Sequence, residues 1–490
     1  MNNQTIPNPI IKRSYLTPDR VAIHFENKDY TFQELYELGC RKAGYLQKLG
    51  VKKGDYVACL LKSHFETAVF LVSLQLIGGT AVLLNNRLTA EELVWQINDS
   101  KANILITEKD FVEKVQTVET RFESLTTVWK ETIDAVPFEE PIILEEIDLE
   151  TVCTVMYTSG TTGNPKGVLQ TYGNHWWSAT GSALNLGIHE EDSWLCAVPL
   201  FHISGYSILM RSLIYGMKMV LHESFQTDKV IESIKREKVT IMSVVTTMMN
   251  RLLDALGEEK LPDNFRCMLL GGGPAPLPVL EQCVERNIPI YQTYGMTETS
   301  SQIVTLSPEY SIEKLGSAGK PLFPSQLKIV DSDGAEVDAY QSGEIIVKGP
   351  NVTKGYLHRE HDYEQYFLDG WFKTGDIGYL DKDGFLFVQD RRSDLIISGG
   401  ENIYPAEIEG VITSHPNIED AGVIGIEDEK WGQIPVAFVA KSGELTEEEI
   451  IEFCRGKLAN FKLPKKVYFV DQIPRNASRK LLRRVLREMI

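Results

Sequence analysis

At 490 residues and 43% hydrophobic composition, the chain can bury more than one core, so it is too long for a single compact domain. A formal charge of −18 excludes nonspecific binding to nucleic acid or to an anionic membrane; partners should be small molecules, and any anionic ligand must be met by local cations. The seven cysteines are scattered and form no C-x-x-C pair, which reads as small buried hydrophobes in a reducing compartment. No basic start precedes an apolar core and no run reaches membrane-spanning length, so a soluble cytoplasmic protein without membrane insertion is expected, and a homo-oligomer is compatible with this.

Between about residues 20 and 300, amphipathic helical patterns alternate with short apolar runs. Thr31 and Glu34 have the spacing of a capping box, and Leu35, Leu38 and Leu46 continue a stripe that stops near Gly50. A strand is expected over Tyr56–Leu61, a second capping signal stands at Thr89 and Glu92, and Ile104–Thr107 reads as another strand. This alternation predicts an α/β fold with helix-covered, mostly parallel sheets. The acidic stretch 131–150 reads as a surface connection into a strand over Val152–Tyr157.

Beyond about residue 320 the pattern changes to short strands, Leu327–Val330, Glu344–Lys348, Gly378–Leu380 and Phe385–Val388. The dipeptides Asp333-Gly334, Ser342-Gly343 and Asp383-Gly384 separate them, which predicts a small antiparallel β unit over about 320–392. From Ser393 onward a small α/β mixture is expected. One of its helices begins at Pro405 and buries Ile408, Val411 and Ile412; another is capped by Thr446 with Glu449. The organisation is a large N-terminal domain, 1–392, and a small C-terminal one, 393–490.

Tyr157–Val168 is the densest chemical signal, with five hydroxyl side chains, three glycines and one lysine in twelve residues. Glycines let backbone N–H groups approach phosphates, hydroxyls donate, and Lys166 supplies a cation. It is not a Walker A loop, because Gly167 follows Lys166 where Ser or Thr is required. Four clusters join it. Tyr294–Glu298 pairs a phosphate-binding hydroxyl, Thr297, with a hard oxygen ligand for Mg²⁺, Glu298. Thr374–Asp376 and Asp390–Asp394 offer a carboxylate and an arginine to ribose hydroxyls. Ser398–Asn402 has two adjacent glycines suited to an extended ligand, and Lys480 lies near the C-terminus. Singly, most of these are more often a solvated carboxylate, a turn aspartate or a frayed end, and the glycine pair is as often a plain connecting turn.

In order and together, these segments resemble the acyl-adenylate-forming (AMP-binding) superfamily of acyl-CoA ligases, nonribosomal-peptide adenylation domains and firefly-type luciferases, over nearly the whole chain. The resemblance implies two half-reactions. A carboxylate attacks the α-phosphorus of ATP, and a thiol, that of CoA, then expels AMP from the acyl adenylate. It implies that Thr158, Ser159, Gly160, Thr161, Thr162, Gly163 and Lys166 grip pyrophosphate, with Mg²⁺ on Glu298 and phosphate on Thr297. Asp376 and Arg391 would hold the ribose, while Gly271, Gly272, Gly273, Pro274 and Ala275 with Tyr294, Gly295 and Met296 border the adenine and acyl group. Lys480 would serve the reacting centre, His202 would gate the acyl pocket, and Ser398, Gly399 and Gly400 would reach the CoA tunnel. Ser393 occupies the hinge about which the small domain swings; the family often has Asp or Lys there.

Within that superfamily, Gln170–His175, Leu270–Leu277, Thr297–Pro308 and Gly316–Leu322 resemble in wording the o-succinylbenzoate-CoA ligases of bacterial menaquinone (vitamin K2) biosynthesis. Their acid is an aromatic dicarboxylate, and a second carboxylate needs polar donors. Ser301 and Ser307, beside Gly271 and His202, are the acyl-pocket candidates. Other readings are a ligase for a different aryl or fatty acid, a stand-alone adenylation domain loading a carrier protein, and a luciferase-like oxygenase.

Overall fold

The computed structural model describes residues 4–135, 137–159, 165–272, 277–390, 395–475 and 481–490. Two sheets build the large part of the chain. The smaller has six strands in the order Pro165–Thr171, Val152–Ser159, Thr80–Leu83, Tyr56–Leu60, Ile104–Thr107, Thr126–Trp129. All its neighbours are parallel except the first pair, an antiparallel hairpin in which Pro165 stands opposite Ser159. The larger sheet has fourteen strands. Its parallel half runs Ile290–Met296, Cys267–Gly271, Ile241–Val245, Ser193–Cys196, Lys218–Leu221, Val21–Phe25.

The helix Phe65–Ile77 shows where the core sits. Every residue in it except Glu66 is buried, as expected of a helix that is apolar all round. It shares one apolar cluster with Val57 and Ala81 of the smaller sheet and with Ile23, Val220 and Met242 of the larger. Helix starts follow the local chemistry: Thr31, Thr89 and Thr446 each accept from the backbone N–H three residues on, while Glu34, Glu92 and Glu449 reach back. Thr171 with Asn174 makes a fourth such box.

The antiparallel unit is there as expected, and Ser301–Leu306, which pairs with both Ile290–Met296 and Ser317–Pro321, joins it edge to edge with the parallel half. The acidic stretch 131–150 is not only a connection. It contains the strand Glu146–Asp148, which pairs with Thr5–Pro7 near the chain start.

From Ile396 onward stands a third sheet of five strands, Glu401–Ile403, Ile396–Ser398, Gly432–Lys441, Ile418–Asp428 and, paired to Gly432–Lys441, Lys466–Phe469. It has its own cluster, in which Ile408 and Ile412 of the helix Pro405–Thr413 are fully buried. Among the described residues no helix is long and apolar enough to cross a membrane.

Candidate active site

The strand Val152–Ser159 before the glycine-rich segment is followed by a second strand, Pro165–Thr171, antiparallel to it. Gly160, Thr161, Thr162 and Gly163 lie outside the described residues, as does the side chain of Ser159. Lys166 pairs with Thr158 across the hairpin and is buried, its Nζ 4.5 Å from the ring centre of Tyr366 and 5.5 Å from that of Tyr356. Aromatic faces hold the ammonium by cation–π attraction without cancelling its charge.

Tyr356 links this cation to the next cluster. Its hydroxyl donates to Glu298 Oε1 at 2.8 Å, and Glu298 is itself buried. Thr297, Glu298 and Thr299 form one short turn whose three carbonyls are held from two other segments, the hairpin strand and the loop 351–353. Gln170 Nε2 donates to Thr297 O at 2.7 Å, the Thr353 N–H to Glu298 O at 2.7 Å, and Asn351 Nδ2 to Thr299 O at 3.2 Å. The chain then turns through two non-glycine residues of positive φ, Ser300 at 54° and Ser301 at 104°, a local strain that surrounding contacts must hold. This turn folds back over Gly295, where a Cβ would meet Ser301 O at 2.1 Å, so only glycine fits.

Beside Met296 and Gly295, the buried Tyr294 hydroxyl donates to Asp376 Oδ2 at 2.7 Å. Gly271 and Gly272 end the neighbouring strand and, with Thr293 and Tyr294, line a cavity of about 510 Å³. Its opposite wall is Gly400, Trp431 and Gln433 of the third sheet. Gly399, at φ 58°, stands in the turn between Ile396–Ser398 and Glu401–Ile403; a Cβ there would meet the Trp431 ring at 2.8 Å. Ser398, the last residue of the strand before that turn, is buried.

A second, narrower cavity of about 70 Å³ lies between Thr158, His202 and Thr297 on one side and Glu401, Tyr404 and Lys462 on the other. His202 caps the helix Ile203–Tyr215, and its Nε2 lies 3.2 Å from Glu401 Oε2. Arg87 Nη1 donates to Glu401 Oε1 at 2.6 Å and Asn85 Nδ2 to Oε2 at 3.0 Å. Burial pushes the Glu401 carboxyl up, but His202, Arg87 and Asn85 outweigh it and bring the pKa down to about 2. Nearby, the buried Lys462 ammonium donates to Glu92 Oε1 at 2.6 Å and to Glu407 Oε1 at 2.7 Å. Burial opposes the charge on Lys462, and the two carboxylates outweigh it and raise its pKa. Glu407 moves up as well, through burial and the charge on Glu92.

The structure thus brings together Thr158, Lys166, His202, Thr297 and Glu298 and, around the larger cavity, Gly271, Gly272, Tyr294 and Gly400, with Asp376 bonded to Tyr294. It does not bring Ser307 to Ser301: they lie at opposite ends of the strand Ser301–Leu306. Gly273, Pro274, Ala275, Arg391, Ser393 and Lys480 lie outside the described residues.

Sequence reasoning gave no individual role to Glu401, Lys462, Gln170 or Arg211. Arg211 is fully buried on the helix Ile203–Tyr215, its guanidinium carbon 4.9 Å from the Trp194 ring centre. Nη1 and Nη2 lie 3.3 Å from the hydroxyls of Ser207 and Ser301, and Nε has no partner among the described residues. Burial lowers its pKa against the opposing influence of Tyr215, and no carboxylate is among the groups acting on it. A signal was present: Arg211 is the one charged residue in a thirteen-residue apolar helix.

A parallel sheet carrying a hairpin, with the buried carboxylate of Glu298 beside it and a small third sheet facing it, is the arrangement to set against known enzymes. The family profile described as AMP-binding enzyme matches residues 12–357 and that of the AMP-binding enzyme C-terminal domain matches 407–480; the chain belongs to this family. It is 56% identical over 488 residues, 99% of this chain and 98% of the other, to a 2-succinylbenzoate–CoA ligase of Geobacillus kaustophilus. A Bacillus subtilis o-succinylbenzoate CoA synthetase double mutant bound to a product analogue, OSB-NCoA, is 49% identical with TM-score 0.95, covering 99% of this chain and 98% of that one. The Bacillus subtilis synthetase with ATP and magnesium ion is 48% identical, covering 99% and 100%, with TM-score 0.78.

Proposed function

We propose that this protein is an ATP-dependent acid–thiol ligase that joins o-succinylbenzoate to CoA through an acyl adenylate, in menaquinone biosynthesis. Arg211 carries the choice of acid. A buried guanidinium with no acidic partner is costly to leave alone, and it lies against Ser301, four residues after Thr297. A second carboxylate on the substrate satisfies it, which a fatty or simple aryl acid cannot do.

Both half-reactions need reactants positioned and charge offset more than they need a protein nucleophile. On this reading Lys166 offsets charge on the departing pyrophosphate, and Thr297 donates to phosphate. A buried carboxylate beside a phosphate loop fits Mg²⁺, which keeps most of its waters and rides on phosphates, so Glu298 would hold it. When bound, that ion shields phosphate charge. Asp376, already oriented by the Tyr294 hydroxyl, accepts from the ribose, and Lys480 serves the α-phosphate. His202, turned toward Glu401, leaves the acyl end open to the CoA thiol, which enters by the Gly399–Gly400 turn. The seven cysteines are free thiols, which supports a reducing compartment and the cytoplasm.

The test is acid-dependent pyrophosphate release from Mg-ATP with o-succinylbenzoate, benzoate, a fatty acid and amino acids. Release with o-succinylbenzoate alone is expected. Arg211→Met should raise its KM about 10- to 100-fold, as loss of a charged hydrogen bond does. Release with fatty acid alone would overturn the choice of acid; no release with any acid would overturn the ligase.

A further inference from the structure

Resting on the adenylation reading above, we infer that Gln170 is a positioning residue for the first half-reaction: its side-chain amide ties the phosphate hairpin to the Thr297 carbonyl, so that hairpin and Glu298 keep one spacing. Gln170 stands on the strand Pro165–Thr171, four residues after Lys166, and is completely buried. Its Nε2 donates to Thr297 O at 2.7 Å across 127 positions of sequence. Its Oε1 accepts from the Thr154 hydroxyl at 2.9 Å, and Thr154 lies on the other strand of the same hairpin. The amide is thus clamped from both sides.

The protons along this line can be assigned. A carbonyl at Thr297 accepts only, so the amide nitrogen faces it and the amide oxygen faces Thr154. Thr154 spends its one proton on that oxygen, so at 3.2 Å its lone pair accepts from His175 Nε2–H. His175 is therefore the Nε2–H tautomer, with Nδ1 buried and without a partner among the described residues. Burial, assisted by the charge on Arg211, brings the His175 pKa down to about 3, so the ring stays neutral and the direction of the line does not reverse near neutral pH. Gln170 to His175 was singled out as family wording; this line assigns both its ends a task.

The consequence is mechanical. Lys166 stands on a strand of the smaller sheet and Glu298 in the turn Thr297–Thr299; besides Gln170 they are linked through Tyr356 and through Thr353, whose N–H donates to Glu298 O and whose hydroxyl donates to Leu169 O on the hairpin. Without the Gln170 amide, the Thr297 carbonyl loses its tie to the hairpin, and the spacing between phosphate grip and metal carboxylate is no longer held from this side. That spacing matters to adenylation, in which pyrophosphate leaves, and much less to thioester formation, from which pyrophosphate is absent.

Gln170→Met keeps the volume and removes both polar atoms; Thr154→Val keeps the shape and removes only the anchoring hydroxyl. In the full-length enzyme, acid-dependent ATP–pyrophosphate exchange by Gln170→Met should fall about 10- to 100-fold, and by Thr154→Val roughly threefold to tenfold, with a raised Mg²⁺ requirement in both. Thioester formation from presynthesised acyl adenylate should stay within about twofold of wild type. Equal losses in the two half-reactions, or an unchanged Mg²⁺ requirement, would overturn the assignment. If Gln170→Met does not fold, Thr154→Val decides by the same criteria. Absence of exchange in the wild type would instead overturn the adenylation reading.

Discussion

Where the phosphate hairpin meets the Thr297–Thr299 turn, the joint is made of neutral groups, Gln170, Thr154, Asn351 and backbone amides. Where the third sheet meets the large part of the chain, the joint is made of ions, Glu401 with Arg87 and Lys462 with Glu92, with Glu407 supporting Lys462 from its own side. The difference follows from what each joint has to do. A buried ion pair roughly breaks even against its desolvation, because each ion recovers its water when the faces separate. Such a face can part without a large net penalty, yet it closes in one register only. Gln170 and Thr154 are closed to water inside one packed body and come apart only with that body. The ionic joint therefore suits the alternation between half-reactions expected of the family, and the neutral one suits a fixed frame.

The sharpest way to break this contrast is Lys462→Met. It leaves Glu92 and Glu407 buried without their cation, a change that costs about 3–5 kcal/mol in buried pairs. Thioester formation from presynthesised adenylate should drop at least about 100-fold while adenylation is retained, which is the mirror image of the split expected for Gln170→Met. Quenched-flow measurement of the two half-reactions decides it; equal losses would mean that both joints belong to one rigid frame.

Glu401→Gln should act in the same direction, with thioester formation about tenfold slower at neutral pH. The sign of its pH dependence is fixed. A carboxyl lowered from 4.5 to about 2 supports the docked arrangement fully above pH 4.5 and loses that support as pH falls toward 2. Fluorophores on the two parts should report undocking across that window in the wild type and a flat response in Glu401→Gln. The smallest effect belongs to Thr89→Ala, which removes one helix cap and should lower stability by about 1 kcal/mol in a denaturant titration.

What was legible in the sequence was local or carried by family wording. The capping boxes at Thr31, Thr89 and Thr446 stand where their spacing put them, because such a box is complete within four residues. The alternation of helix and strand was equally clear. What it left out has one cause: the bridge of Ser301–Leu306 between the two halves of the large sheet is a pairing over distance, and no local pattern encodes the partner. Glu401 sits beside a glycine pair that drew attention to itself, yet its partner His202 is 199 residues away. Arg211 was hidden differently, by a helix whose apolar character masked the one residue that did not belong to it.

Glu92 is bound at both oxygens. Oε2 accepts from the Thr89 N–H and hydroxyl at 2.7 and 2.9 Å, while Oε1 receives Lys462. The first set is local to the helix start and persists whether or not Lys462 is present. The carboxylate thus waits already aimed, with its rotamer chosen by the folding of the helix rather than by the arriving lysine. Docking then immobilises one long side chain instead of two, and the first turn of an ordinary helix becomes a keyway cut in advance for a part of the chain 370 residues downstream.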